Sequence, residues 1–177
     1  MGFDEQTLQA LCAQLANDLG ATKGAGDAQV ETIVATLSGA FGVSENEVAL
    51  FRLSADRNLL RFLWPAKLRQ VGAIPFSSLD SLAARTAREG AVFLENTFAA
   101  LRHASAFEKV RLEPGIAPPP KPIRKIISVP ILQEETVIGV IQVSRKGDLD
   151  GREIDDFSNE DADALLTLAS EVGKYLL

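Results

Sequence analysis

A chain with a single cysteine and a single histidine has few routes to covalent or metal chemistry. Cys12 and His103 lie far apart, and no set of nitrogen and sulfur ligands for zinc can be assembled from them. His103 could at most be the sole axial ligand of a haem, and a lone histidine on a short helix more often faces solvent or caps. Asp148, Asp150, Asp155, Asp156, Glu160, Asp161 and Asp163 form an acidic cluster in which the glycine and closing-glutamate spacings of a calcium loop are not met. It reads as a solvated loop feeding a helix N-terminus, where acids favour the helix dipole. No GxGxxG or Walker lysine loop is present, and no nucleophile elbow. With no nucleophile–base pair, metal set or cofactor to name, the chain is not expected to be an enzyme.

The polar residues of most interest are binding groups. Gln142 stands in an otherwise apolar run, so its amide needs a partner or an open cavity. Strand alternation puts Ile138, Val140, Gln142 and Ser144 on one face, and Val137, Gly139, Ile141 and Val143 on the other. The apolar second set suits packed helices, which leaves Gln142 facing a ligand cavity. Whether Ser128 shares that face depends on a turn length that the residues leave open. Trp64, Arg69, Ser78, Arg85, Asn96 and His103 are the candidates to complete the cavity, although each could equally be a cap, an edge or a surface residue. Arg85 is the best of them for an anion, because its fork binds carboxylate or phosphate in two places.

The elements that must position these groups follow from periodicity and turn residues. Segments 125–132 and 136–144 are rich in β-branched residues and separated by Gln133, Glu134 and Glu135, which predicts a β-hairpin covered on both faces. Leu8, Leu11, Cys12, Leu15 and Leu19 stripe an amphipathic helix over 4–19, where Cys12 packs as a small hydrophobe. A second helix over 27–41, capped by Asp27, turns Val30, Ile33, Val34, Leu37 and Phe41 inward. Strands are expected at 47–53 and 59–64, and short ones at 72–76 and 91–95. Between the short strands, Ser77 or Ser78 caps a helix over 79–89 that Gly90 stops. Segment 96–109 has helical composition, and 114–122 holds five of the eight prolines, which makes it an extended lid or connection. Ser158 caps the last helix, over 159–176.

The totals exclude several function classes. A net charge of −6 gives no footprint for nucleic acid or an anionic membrane. The N-terminus is acidic rather than basic, no apolar run approaches a bilayer span, and one cysteine forbids an internal disulfide. A cytoplasmic setting is the expectation.

In this order the elements resemble the GAF domain, over nearly the whole chain. The segments that carry the resemblance are LDSLAARTAREGAVFLEN (79–96), IRKIISVPIL (123–132), VIGVIQVSRK (137–146) and FSNEDADALLTLASEVGKYL (157–176). The resemblance implies one α+β domain over 1–177 of GAF/PAS-like type. Its central antiparallel sheet has about five to six strands, with the terminal helices on one face and a pocket helix plus lid on the other. It further implies an unidentified small molecule in the pocket, and a homodimer built through helices 4–19 and 159–176. A separate output protein would receive the signal, since no output domain is legible. Specialised members fit poorly. Bilin-binding members need a cysteine near the pocket, reducers of free methionine sulfoxide use several cysteines, and the Asn-Lys-Phe-Asp-Glu signature of phosphodiesterase-type nucleotide binders is missing. The alternative is a ligand-free dimerisation scaffold whose pocket is filled by side chains such as Phe62, Trp64, Phe76, Phe93 and Phe98.

Overall fold

A computed structural model describes residues 3–22, 24, 26–70, 72–98, 121–148 and 150–176. Helix α1 (Glu5–Ala21) starts where the Asp4 carboxylate accepts from the backbone N–H of Thr7. Helix α2 (Gly26–Phe41) buries the five apolar residues that its periodicity predicts, together with Gln29. Asp27 lies within the first turn of α2 rather than capping it.

Six strands form one antiparallel sheet: β1 (Val48–Leu53), β2 (Leu59–Trp64), β3 (Ala73–Pro75), β4 (Phe93–Glu95), β5 (Ile123–Gln133) and β6 (Thr136–Lys146). Their order is β3-β2-β1-β6-β5-β4, so the β5–β6 hairpin lies inside the sheet, as its two-sided apolar pattern requires. Glu134 and Glu135 alone make the turn, both at positive φ, as a two-residue hairpin loop demands. Helix α3 (Leu82–Glu89) covers one face and α4 (Asn159–Gly173) joins α1 and α2 on the other.

Two large apolar cores, one on each face of the sheet, and a smaller third group result among the described residues. Against the terminal helices, Leu50, Ile127, Val129, Ile131, Ile141 and Val143 pack on Leu15, Ile33, Leu37, Leu165 and Leu168. Against α3, Phe51, Leu60, Val137 and Val140 pack on Ala83, Ala84 and Ala87. Small residues on α3 let its backbone approach the sheet. Ser158 and Asp161 cap α4 reciprocally, and Phe157 before the cap is buried in the same cluster as Ala162. At Gly139 an added Cβ would lie 2.3 Å from the carbonyl oxygen of Phe51, so the contact between β6 and β1 needs glycine.

Several expectations change. Helix α3 begins at Leu82 with Ser81 as cap, not at Leu79 after Ser77 or Ser78, and Leu79 is left in the preceding loop. A bulge between Leu50 and Phe51 of β1 and their β2 partners turns both Leu63 and Trp64 toward the terminal helices. A second bulge in β6 exchanges the expected faces of Val137 and Ile138: Val137 packs under α3 and Ile138 toward the terminal helices. From Gly139 to Ser144 the expected alternation holds. The expected helix over 96–109 is described only for Asn96, Thr97 and Phe98; Asn96 and Thr97 form a turn, and Phe98 is 3-10 helical. Apart from Lys121 and Pro122, the expected lid lies outside the described residues. Among the described residues, no helix is long and apolar enough to cross a membrane.

Candidate functional site

The face of the sheet beneath α3 carries one polar line in apolar surroundings. Gln142 of β6 and Ser128 of β5 are directly opposed, so their side chains share that face. Gln142 is 3% exposed and donates from Nε2 to Ser128 Oγ at 3.1 Å. Ser128 is fully buried, and its Oγ lies 2.6 Å from Oγ1 of Thr86 on α3. Thr86 in turn donates to the carbonyl oxygen of Leu82, one helical turn back, at 2.9 Å. Four residues from three elements are therefore linked by three hydrogen bonds that cross from sheet to helix. In a low-dielectric core such a chain holds α3 in one register on the sheet, because any slip leaves a buried polar atom unpaired. Beyond α3 the same side of the sheet continues through Ser144, whose hydroxyl donates to Glu47 O, and the apolar group of Ile123, Ile126, Leu82 and Phe98.

The other sequence candidates do not converge on this line. Trp64 sits on the terminal-helix side, and its Nε1 donates to Glu45 O at 2.9 Å. Arg69 clips the connector after β2 to α2, with Nε on Leu63 O at 2.6 Å and Nη1 on Asp27 Oδ1 at 2.5 Å. The carbonyl of Ser78 accepts from Arg88 Nη1 at 2.7 Å, which ties the loop before α3 to that helix. Arg85 lies on the solvent side of α3, paired with Glu89 at 2.9 Å and with its guanidinium 4.3 Å from the Phe93 ring centre. Asn96 clasps the backbone of Phe157, donating to its carbonyl and accepting from its N–H at 2.9 Å each. This fastens the end of β4 to the start of α4. His103 lies outside the described residues.

Thr86 was not among the sequence candidates, although a signal for it exists. It shares a helical face with Ala83 and Ala87, both buried, whereas its neighbour Arg85 points outward. The face of Ser128 depends on the turn length, and also on the bulge in β6, which residue types do not mark.

Charged groups lie elsewhere. Among the described residues, no three of His, Cys, Asp and Glu are placed to hold a metal ion. Basic side chains of the hairpin draw in the acidic loop: Lys125 pairs with Asp156, and Arg145 donates to Asp155 O at 2.6 Å while stacking 4.2 Å from the Phe157 ring centre. Cys12 is half-buried in α1 against the terminal-helix core, where burial, and then the charge of Glu171, push its thiol above the ordinary pKa. A thiol so placed is a poor nucleophile at neutral pH.

The family model described as GAF domain matches residues 26–176. No curated protein matches the chain. Among solved structures, the GAF domain of a phosphoenolpyruvate-protein phosphotransferase from Coxiella burnetii superposes with a TM-score of 0.72 at 13% identity, over 98% of this chain and 95% of that one. The corresponding domain from Acinetobacter gives 0.68 at 14% identity, over 98% and 94%. A free methionine-R-sulfoxide reductase from Neisseria meningitidis, solved with its substrate, gives 0.65 at 18% identity, over 99% and 92%. At these identities the likeness is one of fold, shared by GAF domains of two phosphotransferases and by a reductase.

Proposed function

From the premise that the chain belongs to the GAF domain family, we propose that it is a small-molecule-binding regulatory module and not an enzyme. In this reading a ligand on the α3 side of the sheet alters the geometry of a homodimer, and a separate output protein reads the change. The observation that carries it is the buried amide of Gln142, set with Ser128 in an otherwise apolar sheet face. An amide is costly to keep in such a place, and contact with a polar ligand is a reason to retain it. The half-buried Leu8, Leu11 and Cys12 of α1 support a dimer through the terminal helices, since they keep apolar surface that one subunit does not cover. The single cysteine gives a sulfoxide-reducing relay no second thiol and suits a reducing cytoplasm, while the net charge of −6 argues against nucleic acid or an anionic membrane as partner.

A second reading, a ligand-free scaffold of the same fold, draws on the close packing beneath α3. Ala84, Phe51 and Val140 are fully buried there, and side chains fill the space between helix and sheet. Native mass spectrometry of the gently purified protein separates the two. A dimer carrying extra mass of a small molecule supports the regulatory module, whereas a bare dimer mass favours the scaffold. A protein that stays monomeric in sedimentation as its concentration rises refutes the dimer in both.

A further inference from the structure

The hydrogen bonds around Ser128 run in one direction, and that direction selects the chemistry of a ligand. A hydroxyl has one hydrogen to give. Thr86 lies 2.9 Å from Leu82 O, which can only accept; with the Thr86 hydrogen given there, Ser128 is the donor across the 2.6 Å contact and Thr86 the acceptor. Ser128 then has no hydrogen left, and its 3.1 Å contact with Gln142 requires a donor from the amide. Only Nε2 can supply it. The orientation of the Gln142 amide is thus set by the helix carbonyl at the far end of the chain, and Oε1 is turned away from Ser128.

Among the described residues, Oε1 accepts no hydrogen bond. Every side-chain nitrogen or oxygen that is completely shut away among them has a partner. An Oε1 without one is therefore not completely shut away, at a residue only 3% exposed.

We infer that Gln142 presents a fixed hydrogen-bond acceptor, and that the site selects ligands bearing an N–H or O–H donor over isosteres bearing an acceptor. Ser128 and Thr86 are positioning residues for this selection. The inference rests on the small-molecule reading above and sharpens it. Had the amide been free to turn over, it would have offered oxygen or nitrogen equally well, and no preference would follow.

The test uses indole and benzofuran, which match in shape but differ in carrying an N–H donor or a ring oxygen. Ligand-observed NMR titrations of the intact protein should give indole an advantage of about 2- to 10-fold, the worth of one net hydrogen bond. Thr86→Ser keeps the chain and should keep the advantage. Thr86→Val frees the Ser128 hydrogen to reach Oε1, which turns the amide over, so the advantage should vanish or reverse. Contacts seen by NMR between the Gln142 Nε2 hydrogens and the Ser128 β protons read the amide orientation without any ligand, and they should be present in the wild type and in Thr86→Ser. Equal binding of both probes, the same ratio in all three proteins, or missing Nε2–Ser128 contacts in the wild type overturns the inference and leaves the small-molecule reading standing. Binding of neither probe at millimolar concentration overturns both.

Discussion

Ser128→Ala and Gln142→Leu touch the same hydrogen bond and should differ sharply in cost. Ser128 is fully buried, so no water replaces its hydroxyl in the alanine variant. The Nε2 donor of Gln142 then loses the partner 3.1 Å away, and an unpaired buried donor costs about 1–3 kcal/mol. In Gln142→Leu the Ser128 hydrogen still reaches Thr86, so only a second acceptor position on Ser128 goes unused. The same change replaces a buried amide by an apolar group of similar volume, and stability should stay within about 1 kcal/mol of wild type. The double variant has no orphaned donor. It should recover about 1–2 kcal/mol relative to the sum of the single changes, because the two residues act through one contact. Urea unfolding followed by the fluorescence of Trp64, the only tryptophan, measures all four proteins. In a thermal scan, each 1 kcal/mol should move Tm by about 2–4 °C for a domain of this size. Additive costs, or a larger loss in Gln142→Leu than in Ser128→Ala, would refute the direction assigned to the chain and the placement of Gln142 at a ligand site.

Four further outcomes follow from the packing. Gly139→Ala places a methyl group 2.3 Å from the Phe51 carbonyl oxygen and should cost at least about 3 kcal/mol in urea unfolding. Gly20→Ala in α1, with nothing within 4 Å, should be neutral or stabilising by about 0.5–1 kcal/mol. Asn96→Ala breaks both bonds to the Phe157 backbone and should lose about 1–3 kcal/mol, with Asn96→Asp intermediate because only the carbonyl loses its donor; equal stability of all three proteins would show that the clasp contributes nothing. Alkylation of Cys12 by iodoacetamide should be slow at neutral pH. The thiolate is the reactive form and the thiol pKa is raised by burial, so the rate should rise only above the pH at which an unburied cysteine reacts. A midpoint at or below that of a free thiol would contradict the half-buried position.

Local pattern alone established much of this protein. The stripes of α1 and α2, the capping box at Ser158 and Asp161, the stop at Gly90 and the apolar hairpin are each written in residues close together in sequence. Their order carried the family. What local pattern could not supply were contacts decided by one-residue irregularities and by partners distant along the chain. An unbroken ladder from the Glu134–Glu135 turn would set Gln142 opposite Ile127 and leave Ser128 on the other face. The bulge in β6 near Ile138 shifts the pairing by one residue, places Ser128 beside Gln142 and so creates the polar line. A bulge between β1 and β2 likewise turned Trp64 away from the side its alternation suggested. Asn96 and Phe157, 61 residues apart, meet only because β4 and α4 pack against the same edge of the sheet. Side-chain periodicity reads off the face of a regular element, but a bulge breaks the period without leaving a mark in residue type. Only the folded pairing of strands decides where the period restarts.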